Sequence, residues 1–182
     1  FTPTQATAVA GKWEIVNQLP NTTSGFSGTL FRNRANPNEL VVSFRSTEFI
    51  DDAVRDSLAT NELEIKNTGW AWGQIADMEN WYADLSKPGG PLNGKTFSVT
   101  GYSLGGHLAT AFNLLHPGVA REVFTFNGAG VGLVKSGYTL QGALTYFNSF
   151  RISTSNLVSA LTDPDLNALY PTLTPPHLNT KT

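Results

Sequence analysis

The sequence predicts one α/β domain of reduced size, a mostly parallel sheet with helices on both faces. Three observations predict it. Short strand-like apolar runs alternate with segments of helical period, the pattern of crossover units. The length, 182 residues, suits one sizeable core and is short for two. Residues 96–115, TFSVTGYSLGGHLATAFNLL, pass from a strand through Gly-x-Ser-x-Gly straight into a helix. No repeat, low-complexity run or linker divides residues 1–182, so they are read as one domain. A start at Phe1 with no signal-peptide pattern is expected of a processed product or of part of a longer chain.

Taken in order, Pro3 after Thr2 is a first helical position, and Ala8, Val9, Trp13 and Val16 recur at helical spacing. They predict a helix ending near Pro20. SGTLFRNR and ELVVSFRST read as strands, and ANPN between them carries turn residues, which predicts a hairpin. Residues 48–69 show no clean period. From Ala71, the positions Ile75, Met78, Tyr82 and Leu85 mark an amphipathic helix that stops before KPGGPLNG. The strand at 96–100 is followed by a helix on Leu104, Leu108, Ala111, Phe112 and Leu115. REVFTFNGAG predicts a further strand and SFRIST a last one. After Thr154, Asp163-Pro164, Pro171 and Pro175-Pro176 interrupt any long element.

Composition narrows the chemistry. Charged residues make up 14% of the chain, against about 25% in an average soluble protein, which favours a secreted protein or a core region whose remaining chain covers part of its surface. A net charge of -2 and the lack of any basic run argue against nucleic acid as a partner. With no cysteine and three scattered histidines, thiol chemistry and a structural zinc site are not expected. No apolar run reaches the roughly 18 residues of a transmembrane helix.

The serine in GYSLG has a chemical reading. A hydroxyl is a poor nucleophile unless a base stands beside it and donors await the oxyanion. Gly101 and Gly105 remove side chains that would collide in a tight strand-to-helix corner, leaving the Ser103 hydroxyl exposed at the sheet's carboxyl edge. The helix that follows aims its free N–H groups at that point. The N–H of Leu104 is the natural first oxyanion donor. A glycine-rich turn serving only close packing is the bland reading, and the strand and helix on either side weigh against it.

At these residues the chain resembles the class 3 lipases, an α/β-hydrolase family of triacylglycerol lipases and phospholipases, and its bacterial secreted members in particular. GYSLGGHLA resembles the family's nucleophile elbow. VVSFRST, residues 41–47, resembles its strand ending in Phe-Arg-Gly-Ser/Thr. FTFNGAGVG, residues 124–132, stands in place of Phe-Gly-x-Pro-Arg-Val-Gly. The three span roughly residues 28–132. The resemblance implies an α/β-hydrolase fold, ester hydrolysis, Thr47 as second oxyanion donor and a structural role for Asp56. The chain departs from the pattern at Ser46 for glycine, Tyr102 for histidine and Ala129-Gly130 for Pro-Arg, so fine specificity does not carry over. Without the resemblance, Thr47 is an ordinary β-branched strand end. Arg45 is expected to pair with Asp51, Asp52 or Asp56 and so hold the loop, with substrate binding as its alternative.

Three histidines compete as the base. His107, one turn into the helix, reads as a packed residue, and His116 before Pro117 reads as a helix end. His177 comes after the last predicted strand, where the chain order Ser…Asp/Glu…His puts the base, and it is the choice here; an ordinary tail residue is its alternative. At the acid position the family shows an aspartate after this strand, and the chain offers Asn156 there, with Asp163 following in TDPD. Asp163 is preferred for its charge, and Asn156 is the alternative.

The expected function is a serine ester hydrolase acting on lipid esters, with transient contact with a lipid interface and no metal or organic cofactor. Residues between Thr47 and Trp70 stand where the family carries its lid. Phe49, Ile50, Val54 and Leu58 are its apolar candidates, and Trp70 and Trp72 either join it or simply pack. The alternatives are an inactive module of the same fold that binds lipid or protein, and a serine peptidase or acyltransferase.

Overall fold

Thr2, Pro3 and Gln5 begin the first element by local chemistry. Thr2 Oγ1 accepts the Gln5 N–H at 3.3 Å, and the Gln5 side chain accepts the Thr2 N–H at 2.9 Å, a reciprocal cap on helix α1, Pro3–Lys12. The computed structural model describes residues 2–46, 65, 68–133, 137 and 139–154, with the side chains of 150–154 left aside. The predicted helix to Pro20 stops early. From Trp13 the chain is strand β1, Trp13–Leu19, paired antiparallel with β2, Gly28–Asn33. Helix α1 buries no residue, so continuing it would gain no packing, whereas the extended chain gains a ladder broken only by a register shift between Ile15 and Asn17.

The predicted hairpin is present. Strand β3, Leu40–Phe44, runs antiparallel to β2, and its turn is closed by the Glu39 N–H to the Asn36 carbonyl at 2.9 Å. Next come helix α2, Trp72–Ser86, strand β4, Phe97–Tyr102, helix α3, Leu104–Leu115, strand β5, Val123–Phe126, and helix α4, Leu140–Thr154. The stretch SFRIST therefore lies in a helix, not in a last strand.

The strands form one sheet in the order β1-β2-β3-β4-β5, with β3, β4 and β5 mutually parallel. It is a mixed sheet rather than a mostly parallel one, because the short connections among β1, β2 and β3 permit only antiparallel pairing. Leu40, Val42 and Phe44 of β3 share a face with Phe97 and Val99 of β4, and all five are buried. Phe112 of α3 packs its ring 6.2 Å from that of Phe44 and 6.1 Å from that of Phe97. Tyr82 of α2 stands edge-on to Phe112 at 4.9 Å, and Trp72 of α2 meets Phe147 of α4. So α2, α3 and α4 build one helical layer on that face. Strand order advances steadily from β3 to β5, and successive right-handed crossovers made in one direction put their helices on the same side. On the opposite face Tyr102, Phe124 and Phe126 are exposed, so helices on both faces are not seen among the described residues.

Candidate active site

The corner between β4 and α3 holds Ser103, the expected nucleophile. Ser103 lies between the strand's last residue and the helix's first, at φ 52° and ψ -117°, a backbone region that residues other than glycine rarely occupy. Its neighbours dictate the tightness. A Cβ on Gly101 would run into the carbonyl of Gly105, and a Cβ on Gly105 into the carbonyl of Phe44 at the end of β3. The glycines are thus required by contact of backbone with backbone.

Backbone hydrogen bonds hold the corner. The Ser103 N–H donates to the Phe126 carbonyl at 3.0 Å. The Ser103 carbonyl accepts from the N–H of His107 and of Ala129, each at 3.1 Å. Leu104, the first helical residue, has an N–H with no intrahelical acceptor, set beside Ser103 at the positive end of the helix dipole. Tyr102, in the position before the serine, is exposed.

His107 is fully buried one turn along α3, as a packed residue should be, and both its ring nitrogens are engaged. Nε2 accepts the Ala71 N–H at 3.1 Å, and Nδ1 donates to the Gly130 carbonyl at 3.0 Å, which fixes the neutral Nδ1–H tautomer. Burial holds its pKa below the ordinary histidine value, and the bond to Gly130 opposes this to a smaller extent. His107 has no free nitrogen to take a proton from Ser103. His116 ends α3, and its Nε2 meets both carboxylate oxygens of Glu79 at 2.9 Å, joining α3 to α2.

Of the expected site residues, Ser103 and Leu104 stand together at the corner. Thr47, Asn156, Asp163 and His177 lie outside the described residues, as do Asp56 and the lid candidates Phe49, Ile50, Val54 and Leu58. Arg45 donates to Asn21 Oδ1. Trp70 and Trp72 are buried, with their rings 5.7 Å apart, as packing residues. The sequence reading marked residues 124–132 by resemblance alone and did not foresee that the loop after β5 is bonded to the serine corner. There Asn127 takes φ 46°, and Ala129 and Gly130 are both tied to the serine corner. The signal was the Asn-Gly pair ending a strand, since asparagine is among the few residues that accept a positive φ. Among the described residues no three His, Asp or Glu side chains gather as metal ligands would.

No family model matches the chain, and no curated protein matches it. Solved structures similar to it include Rhizomucor miehei triacylglyceride lipase, at 14% identity and a TM-score of 0.37, over 63% of this chain and 48% of that one. A lipase from Rhizopus microsporus var. chinensis is similar at 17% identity and a TM-score of 0.34, over 67% of this chain and 47% of that one. Rhizomucor miehei lipase in its propeptide complex is similar at 14% identity and a TM-score of 0.31, over 65% of this chain and 41% of that one. The chain thus spans less than half the length of each fungal lipase. Likenesses of this size say nothing about activity.

Proposed function

We propose that the chain is a serine carboxylic-ester hydrolase acting on lipid esters through an acyl-enzyme. The observation that carries the reading is the backbone of Ser103, held at positive φ between a strand and the N-terminus of α3 by glycine contacts and three backbone bonds. A turn that served packing alone would put a glycine at that φ, and a serine there exchanges strain for a fixed hydroxyl.

In this scheme Ser103 Oγ attacks the ester carbonyl and passes its proton to His177, which hands it to the leaving alcohol. The Leu104 N–H and Thr47 hold the oxyanion. Water then attacks the acyl group, and its proton returns through His177 to Ser103 Oγ. Asp163 orients the histidine, with Asn156 as the alternative. The scheme requires no metal or organic cofactor. Lipid esters as substrates are supported by the class 3 lipase resemblance of residues 41–47, 101–109 and 124–132, and the low charged fraction of 14% supports a secreted setting. No helix among the described residues is long and apolar enough to cross a membrane.

An active-site-directed phosphonate tests the reading. Ser103 is expected to be the only serine labelled, and Ser103→Ala is expected to lose about 10⁴–10⁶ in kcat on p-nitrophenyl esters while remaining folded. Labelling elsewhere, or none on folded protein, sinks the assignment. Faster cleavage of a matched peptide amide than of the esters would favour a peptidase instead.

A further inference from the structure

We propose that His107 is a positioning residue for the Ser103 corner, its neutral imidazole fastening two separate segments to the first turn of α3 and so fixing the serine backbone. The inference rests on the reading of Ser103 as nucleophile.

The bonds form a closed ring. The Ser103 carbonyl receives the N–H groups of His107 and Ala129, and Gly130, next in the chain, gives its carbonyl to His107 Nδ1. The loop after β5 is therefore held to the corner from both ends of the Ala129-Gly130 pair, by the serine and by the imidazole. The loop lies close against the helix: a Cβ on Gly106 would come within 2.7 Å of Gly128 Cα. On the ring's other side, Nε2 holds the N–H of Ala71, and the adjoining backbones meet where the Gly132 N–H donates to the Gly69 carbonyl at 2.8 Å. The Trp70 ring stands edge-on to the imidazole at 5.9 Å and helps keep water from it. A strained backbone persists only when its surroundings over-determine it, and the His107 side chain bonds to both flanking segments.

Protonation undoes the arrangement. A second N–H on Nε2 would face the Ala71 N–H, donor against donor, in a buried site. The influences on His107 are burial and the Gly130 carbonyl, and no charged side chain among the described residues figures with them. Glutamine offers one acceptor and one donor without titrating, and leucine offers neither.

The test compares the full chain with His107→Gln and His107→Leu, reading kcat and KM on p-nitrophenyl butyrate and the exchange protection of the Ala71 and Ala129 amides. His107→Leu is expected to lower kcat about 10²-fold, the scale of a misplacement near 1 Å, with KM almost unchanged. His107→Gln is expected to recover most of the loss. As pH falls below the ordinary histidine value, Ala71 protection should collapse in the wild type and persist in His107→Gln. Unchanged kcat in His107→Leu, or Ala71 protection that falls equally in wild type and His107→Gln, overturns the proposal while leaving the nucleophile standing. Absence of both turnover and Ser103 labelling in the wild type overturns the nucleophile reading and the proposal with it.

Discussion

Ser103 shows what a single residue can store. Its φ of 52° is a conformation costing of order 1–3 kcal/mol for a side-chain-bearing residue, and the fold must supply that from elsewhere. Ser103→Gly is therefore expected to raise stability by about 1 kcal/mol in urea unfolding while abolishing ester turnover. A fall in stability would show that the hydroxyl contributes more to folding than the backbone strain removes. The serine and its flanking glycines were legible in the sequence because a steric requirement leaves a fixed local pattern. His107 was legible only as a buried residue. Its partners, the Ala71 N–H and the Gly130 carbonyl, are backbone groups 36 and 23 residues away, and a backbone partner leaves no trace in side-chain chemistry.

At the scale of elements, helix α3 is seated on the end of β3 through Gly105, whose missing side chain lets the helix reach the Phe44 carbonyl. Gly105→Ala is expected to destabilise by about 1–3 kcal/mol, the cost of overpacking where the obstacle is backbone, with loss of activity at any temperature that still leaves it folded. Chemical denaturation beside the wild type checks this. Helices α2 and α3 were read from their periods, and their apolar positions Ile75, Met78, Leu108 and Phe112 are buried as expected. Two elements were not read. In β1 the apolar residues Trp13 and Val16 fit a helical spacing by accident, and pairing with β2 decides the matter. In SFRIST a short β-favouring run masked a longer signal: Leu140, Ala143, Leu144 and Phe147 recur at helical spacing, and the last three are fully packed.

For the whole molecule, His107 links stability to acidity. Its folded pKa is lowered, so its neutral form contributes stability that is intact above the unfolded value, about 6.5, and is lost as pH falls through the folded one. Between about pH 7.5 and pH 5, the wild type should lose more unfolding free energy than His107→Gln. Parallel curves for the two proteins would refute the link.

The sheet's mixed topology also sets an order of events in time. Strands β1, β2 and β3 are joined by short connections, but 52 residues separate Phe44 from Phe97 at the parallel seam. Closing that longer span costs about 2 kcal/mol more loop entropy than closing the six-residue turn between β2 and β3. The meander can form as a local unit, whereas the seam must wait for distant chain to return. Ser103 lies beyond the seam, and its strained backbone needs β3, β5 and the loop after β5 to be in place already. Substitutions at the serine corner are accordingly expected to speed unfolding and leave the folding rate almost untouched, which stopped-flow measurements on Gly105→Ala would read directly. On the proposed reading of Ser103, a chain that forms this corner only as the last contacts close is without that hydroxyl's reactivity throughout its passage from coil to fold.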